Sequence, residues 1–213
     1  EYTDLLKVAY VASKKANPRV QITLTGFWIG DVLNPGEPYE KRIEMLDEKM
    51  FVKKNWYKYV RSFQKFLKEK NYFDKVEFHS LEDYQAIYTA VGWIRQEMKR
   101  NGYEKPIYVG DACVNPTLTF GPVKPHPHPF QMKAQEVVKI LADRKNAMYK
   151  EVNAWYRAEG SRLIVKKTVA ALEMGLEKIN FGLMIDNPNA GRVGMKLLAT
   201  INPLAYNWLI AGI

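Results

Sequence analysis

The chain has 213 residues, 47% of them hydrophobic and 26% charged, a length and balance that suit one ordinary domain or a piece of a larger one. Its single cysteine, Cys113, excludes an internal disulfide. The net charge of +9 raises nucleic acid as a partner, but the lysines are scattered (Lys14-Lys15, Lys53-Lys54, Lys68 and Lys70, Lys166-Lys167) and read as the solvated faces of predicted helices, so no nucleic-acid partner is expected.

The chain opens at Glu1 and enters a helix at once, which reads as a processed or truncated terminus. Tyr2–Ala16 repeats apolar residues at helical spacing (Tyr2, Leu5, Leu6, Ala9, Ala12, Ala16) and stops at Asn17-Pro18. Val20–Thr25 is the first predicted strand, closed by Gly26, with Phe27 and Trp28 at its carboxyl end. Residues 27–54 read as a long loop, with turn signals at Asn34-Pro35-Gly36 and Glu37-Pro38 and room for a short helix over 41–53. Asn55 is a predicted N-cap for a helix whose apolar face carries Trp56, Tyr59, Val60, Phe63, Phe66 and Leu67.

The second predicted strand is Lys75–Ser80. Val76 and Phe78 share one of its faces, Glu77 and His79 the other. A carboxylate is costly among packed helices, so Glu77 and His79 belong on the face away from them. The helix Asp83–Arg100 follows, with Tyr84, Ile87, Val91, Ile94 and Met98 as its stripe and Asn101-Gly102 as its stop. The third strand, Ile107–Gly110, is entered through Pro106 and delivers Asp111 at its exit. Residues 112–130 form a second long loop, in which Lys124-Pro-His-Pro-His-Pro-Phe130 reads as a stiff alternating-proline segment; no third ligand accompanies its two histidines, so no metal or other cofactor is expected.

A helical region from about 131 to 174 is predicted to break near Glu159-Gly160-Ser161, with Ser161 as a cap and Gly175 as the end. The fourth strand, Lys178–Ile185, leads into Asp186-Asn-Pro-Asn189, and a last helix spans roughly 193–211. Leu197–Ile213 is too short and too interrupted, by Asn202-Pro203 and Asn207, for a membrane span. Trp93 and Trp155 fall on helices and read as core or interface residues. Cys113 has no histidine indicated beside it and reads as filler.

Strands that alternate with helices imply parallel pairing and right-handed crossovers. Four such units amount to half of an eight-stranded TIM (β/α)8 barrel. A flavodoxin-like open sheet is the alternative, but no glycine-rich phosphate turn follows the first strand to support it. An apolar strand that ends in a carboxylate and opens into a long loop is where a barrel places its chemistry, and Asp111 is the leading candidate. Its bland counterpart is an Asp that caps a backbone turn; that of His79 is a hydrogen-bonded interior histidine.

Three motifs together resemble a known family: Tyr2-Thr-Asp-Leu-Leu-Lys-Val-Ala-Tyr10 with Lys15-Ala-Asn-Pro18; Tyr72-Phe-Asp-Lys-Val-Glu-Phe-His-Ser80; and Ile94-Arg-Gln-Glu-Met98 with Gly102-Tyr-Glu-Lys-Pro-Ile-Tyr-Val-Gly-Asp111. With the helix Arg162–Gly175 leading to 178–186, they resemble the second half of the retaining (β/α)8-barrel glycoside hydrolases of clan A, of the cellulase, β-xylosidase and β-galactosidase type. The resemblance implies that residues 1–213 supply strands five to eight and their helices, and that the chain acts on or binds β-linked glycans without a cofactor. Asp111 then stands at the nucleophile's position, while the acid/base residue lies upstream of Glu1. The candidate sugar contacts are Trp28, His79, Asn115 and Asp186. Closure of the barrel calls for the missing N-terminal half or a second copy of the chain.

The chain departs from the family at three places. The nucleophile's glutamate is Asp111, the tyrosine two residues past the strand-six histidine is Leu81, and the tryptophan-rich end of strand eight is Asn180-Phe181-Gly182. The resemblance therefore also implies an impaired enzyme, or a pseudo-glycosidase with a carbohydrate-binding or structural role. An extracellular location suits a glycan-acting protein, and abundant Lys, Glu and Tyr suit a thermophile.

Overall fold

The computed structural model describes residues 1–27, 62–81, 83–114, 116, 132 and 134–181. Helix α1 spans Tyr2–Ala16 and strand β1 Thr23–Phe27. Residues 62–67 are helical (α2) and lead through a 3-10 turn at Lys70–Tyr72 into β2, Lys75–Ser80. Then come α3 (Gln85–Arg100), β3 (Ile107–Ala112), α4 (Ala134–Ala142), α5 (Tyr149–Glu173) and β4 (Ile179–Phe181).

The four strands form one sheet in the order β1-β2-β3-β4, and every pairing is parallel. A doubly wound sheet reverses its strand order at a switch point; here the order advances without reversal. One face is apolar. Leu24, Val76, Phe78, Ile107, Val109 and Ala112 are buried in a single core with Leu6 of α1, Phe63 and Leu67 of α2, Ile87, Val91, Trp93, Ile94 and Met98 of α3, and Ala170 and Ala171 of α5. The helices thus cover this outer face. The inner face carries Thr23, Lys75, Glu77, His79, Tyr108 and Asn180, and among the described residues no helix lies on it.

Local sequence explains the ends of the elements. At the end of α1 the Asn17 N–H still bonds Ser13 O, and Lys14 Nζ reaches forward to Val20 O at 2.6 Å. The α3 stop at Asn101-Gly102 forms as expected: Gly102 turns left-handed at φ 72°, and the Tyr103 N–H closes back on Met98 O. Asp74 ties α1 to the sheet, accepting from Ile22 N at 2.7 Å and pairing with Lys14 at 2.9 Å.

Several boundaries differ from the sequence-based expectation. β1 starts at Thr23, and Gly26 lies inside it rather than closing it. β3 continues through Ala112, so Asp111 lies within the strand and the following loop starts after Ala112. The helical region breaks at residues 143–148, not at Gly160. There the side chains of Asp143 and Asn146 accept the backbone N–H groups of Lys145 and Met148 and fold two turns. α5 runs unbroken through Gly160, which is buried against the carbonyl of Val114. Ser161 bonds back to Arg157 O within the helix instead of capping one. The predicted elements within residues 28–61 and 182–213, and most of the 113–130 loop, lie outside the described residues.

Candidate functional site

Period-2 alternation along β3 puts Ile107 and Val109 on the core side and Tyr108 on the inner face. Continued unbroken, it would aim Asp111 at the helices. The strand instead carries one extra residue. Phe78 pairs with Val109 but His79 pairs with Asp111, so Gly110 is inserted as a bulge. The bulge turns Asp111 onto the inner face beside His79, with the two strands roughly 4.8 Å apart. β1 is bulged at the matching level: Leu24 pairs with Val76 and Phe27 with Phe78, which leaves one residue extra in β1. Gly26 there has φ 87°, a conformation that only glycine adopts cheaply.

The two bulges flank Glu77 on the central strand. Its side chain is only 4% exposed. It lies across Gly110: a Cβ added there would come within 2.0 Å of Oε1 and 2.4 Å of Cγ. On the other side the Gly26 N–H donates to Oε2 at 3.2 Å. Below it, Tyr108 stretches across the inner face to donate to Thr23 Oγ1 at 3.4 Å.

Oε1 of Glu77 is 3.1 Å from His79 Nε2. The imidazole N–H does not point along that line, so Oε1 is buried with no aligned hydrogen-bond donor. The His79 side chain is 34% exposed. Asp111 is half-buried, and its carboxylate has no hydrogen bond or ion pair to any described residue, so the turn-capping alternative does not hold among them.

Behind the site, Lys167 of α5 is fully buried. Its ammonium donates to the carbonyls of Ser80 at 2.6 Å and Cys113 at 2.5 Å, stapling the carboxyl ends of β2 and β3. This corrects the expectation that Lys166-Lys167 is solvated surface, which holds for Lys166 alone. The Cys113 N–H also bonds Ser80 O, at 2.9 Å.

Of the sequence-predicted site residues, the structure brings together Asp111 and His79. Trp28, Asn115 and Asp186 lie outside the described residues, as do His126 and His128. Trp93 is fully buried and Trp155 packs against the α4–α5 cluster, as helix-borne aromatics should. Sequence reasoning placed Glu77 on the correct face but gave it no role, and it missed Gly26, Gly110 and Lys167. The available signal was a glycine near the carboxyl end of each strand flanking a glutamate-bearing one.

No family model, curated protein or solved structure matches the chain. Among the described residues no helix is long and apolar enough to cross a membrane.

Proposed function

We propose that the chain is the C-terminal half of a (β/α)8 barrel that binds β-linked glycans on the inner face of its sheet, with Asp111 at the position of a retaining glycosidase's nucleophile. The observation that supports this reading is the placement of Asp111. A bulge turns an otherwise outward carboxylate onto the inner face, in register with His79 near the carboxyl ends of the strands, and no described residue neutralises it. That is where a barrel carries its chemistry.

The chemistry sets a demanding standard. Retention needs two carboxyl groups about 5–5.5 Å apart, one to attack the anomeric carbon and one to protonate the leaving oxygen. The acid/base group would come from outside this chain. Asp is one methylene shorter than Glu, so its carboxylate retracts by roughly 1.5 Å, and a misplacement of that size costs about 10²-fold. The bulge at Gly110 shifts the strand locally, so Asp111 does not stand on an unaltered backbone.

In the complete protein, Asp111→Asn should abolish turnover of aryl β-glycosides while leaving oligosaccharide binding within a few fold; an unchanged rate would sink the assignment. A second reading, a non-catalytic glycan-binding pseudo-glycosidase, is favoured by Leu81 at the end of β2, which places no hydroxyl beside Asp111. Calorimetry with a glycan panel separates the two: binding without hydrolysis supports the second, turnover rejects it.

A further inference from the structure

Glu77 is the most buried charged group on the inner face, and the sheet is bulged on both sides of it. Gly110 makes room for it and the Gly26 N–H donates to it, yet among the described residues its Oε1 faces only His79. A buried carboxylate oxygen without an aligned donor carries its full desolvation penalty, so this is an expensive arrangement to hold in place. Hydrogen bonds in unliganded sites are often poorly aligned and tighten when ligand enters.

The donor and acceptor inventory then decides the state of His79. An ionised carboxylate only accepts, so the nitrogen facing it must carry the hydrogen. Neutral imidazole has one hydrogen to place. With it on Nε2, Nδ1 is left as a lone-pair acceptor, and no described residue bonds to it. We propose that Glu77 is the positioning residue of this face: it fixes His79 in the Nε2–H tautomer and thereby presents Nδ1, beside Asp111, as an acceptor for a ligand hydroxyl. A polyhydroxylated ligand donates at such a point, whereas a ligand that bears only acceptors there is rejected. The inference rests on the glycan reading for the ligand class, but not for the tautomer.

The test is long-range 1H–15N correlation on the full-length protein with 15N-labelled histidine, at about pH 8, above the ordinary imidazole range. His79→Gln assigns the signal. His79 should show a protonated Nε2 and an unprotonated Nδ1, and added cello- or xylo-oligosaccharide should shift Nδ1. Glu77→Gln supplies an amide that can donate as well as accept, so the tautomer preference should be lost and oligosaccharide affinity should fall roughly three- to tenfold, the worth of one hydrogen bond. A wild-type His79 protonated on Nδ1 overturns the proposal without any variant, and so does a Glu77→Gln protein with the tautomer unchanged. A Glu77-dependent tautomer whose Nδ1 ignores every glycan upholds the positioning role and removes the glycan reading instead.

Discussion

Gly110 carries more of the site than its lack of a side chain suggests. It supplies the extra residue that turns Asp111 inward, and it vacates the volume that the Glu77 side chain fills. Gly110→Ala would set a methyl group against Cγ, Cδ and Oε1 of Glu77 at once, so the whole side chain must leave its bed and lose the Gly26 N–H. The expected cost is about 1–3 kcal/mol, or roughly 2–12 °C in Tm for a chain of this size. Because the clash is with one side chain, Glu77→Ala should relieve it. Thermal melts of the single and double variants would show Gly110→Ala costing much less in the Glu77→Ala background. An equal cost in both backgrounds would place the strain in the backbone of β3 instead. The sequence made Asp111 conspicuous but could not show how it faces the site. Strict alternation aims it at the helices, and a bulge is a register event between two strands that one strand's pattern does not encode.

At the scale of elements, periodicity was informative where one face is buried. β2 has its predicted bounds, Lys75–Ser80, and its predicted faces, because Val76 and Phe78 enter the core while Glu77 and His79 do not. The 131–174 region is helical as expected, but its break was misplaced for a physical reason. Gly160 reads as a helix breaker, but one glycine inside a long helix costs only about 1 kcal/mol relative to alanine and is tolerated, whereas the two Asx turns at 143–148 are spread among residues that helices tolerate. Lys167 was misread because a lysine's neighbours, not its type, decide whether it is buried.

The junction of α1 with the sheet gives a prediction in pH. Burial pushes the Asp74 carboxyl up, but bonds from the Lys14 ammonium, the Ile22 N–H and the Tyr10 hydroxyl outweigh it and hold the group below the ordinary Asp value. A depressed carboxyl stabilises the fold above its unfolded-state pKa, roughly 3.9, and that stability is lost as pH falls through the lower folded value. Asp74→Asn should therefore cost about 1–2 kcal/mol near neutral pH, and the difference should shrink as pH falls through the lowered folded value. Denaturant melts across that range should converge at the acid end. Parallel curves would mean that the loss is one of shape rather than charge.

For the whole molecule, a sheet whose strand order advances without reversal, with the described helices on one face, leaves two edges and a polar inner face to account for. Among the described residues β1 and β4 each have one neighbour, and an open edge of unpaired N–H and C=O groups is a template for further pairing. The helices at those edges agree. On α1, Leu5, Val8 and Val11 are 66%, 67% and 59% exposed, and on α5 Val165, Val169 and Leu172 form a second exposed apolar row. Side chains of this kind at helical spacing mark a face that a neighbouring helix covers. In a barrel, another set of βα units would pair with β1 and lay a helix on α1, and either a complementary half or a second copy of the chain meets that geometry. The 213-residue chain alone should therefore self-associate. Sedimentation equilibrium over a wide concentration range should show dimers or larger species, and Leu5→Glu with Val8→Glu should shift them towards monomer by placing charge on the contact face. Neither position is buried, so the double variant should keep its helical circular dichroism. A cooperatively unfolding monomer at every concentration would count against barrel closure, because it would mean that the edge of β1 and the apolar face of α1 are stable in water as they stand.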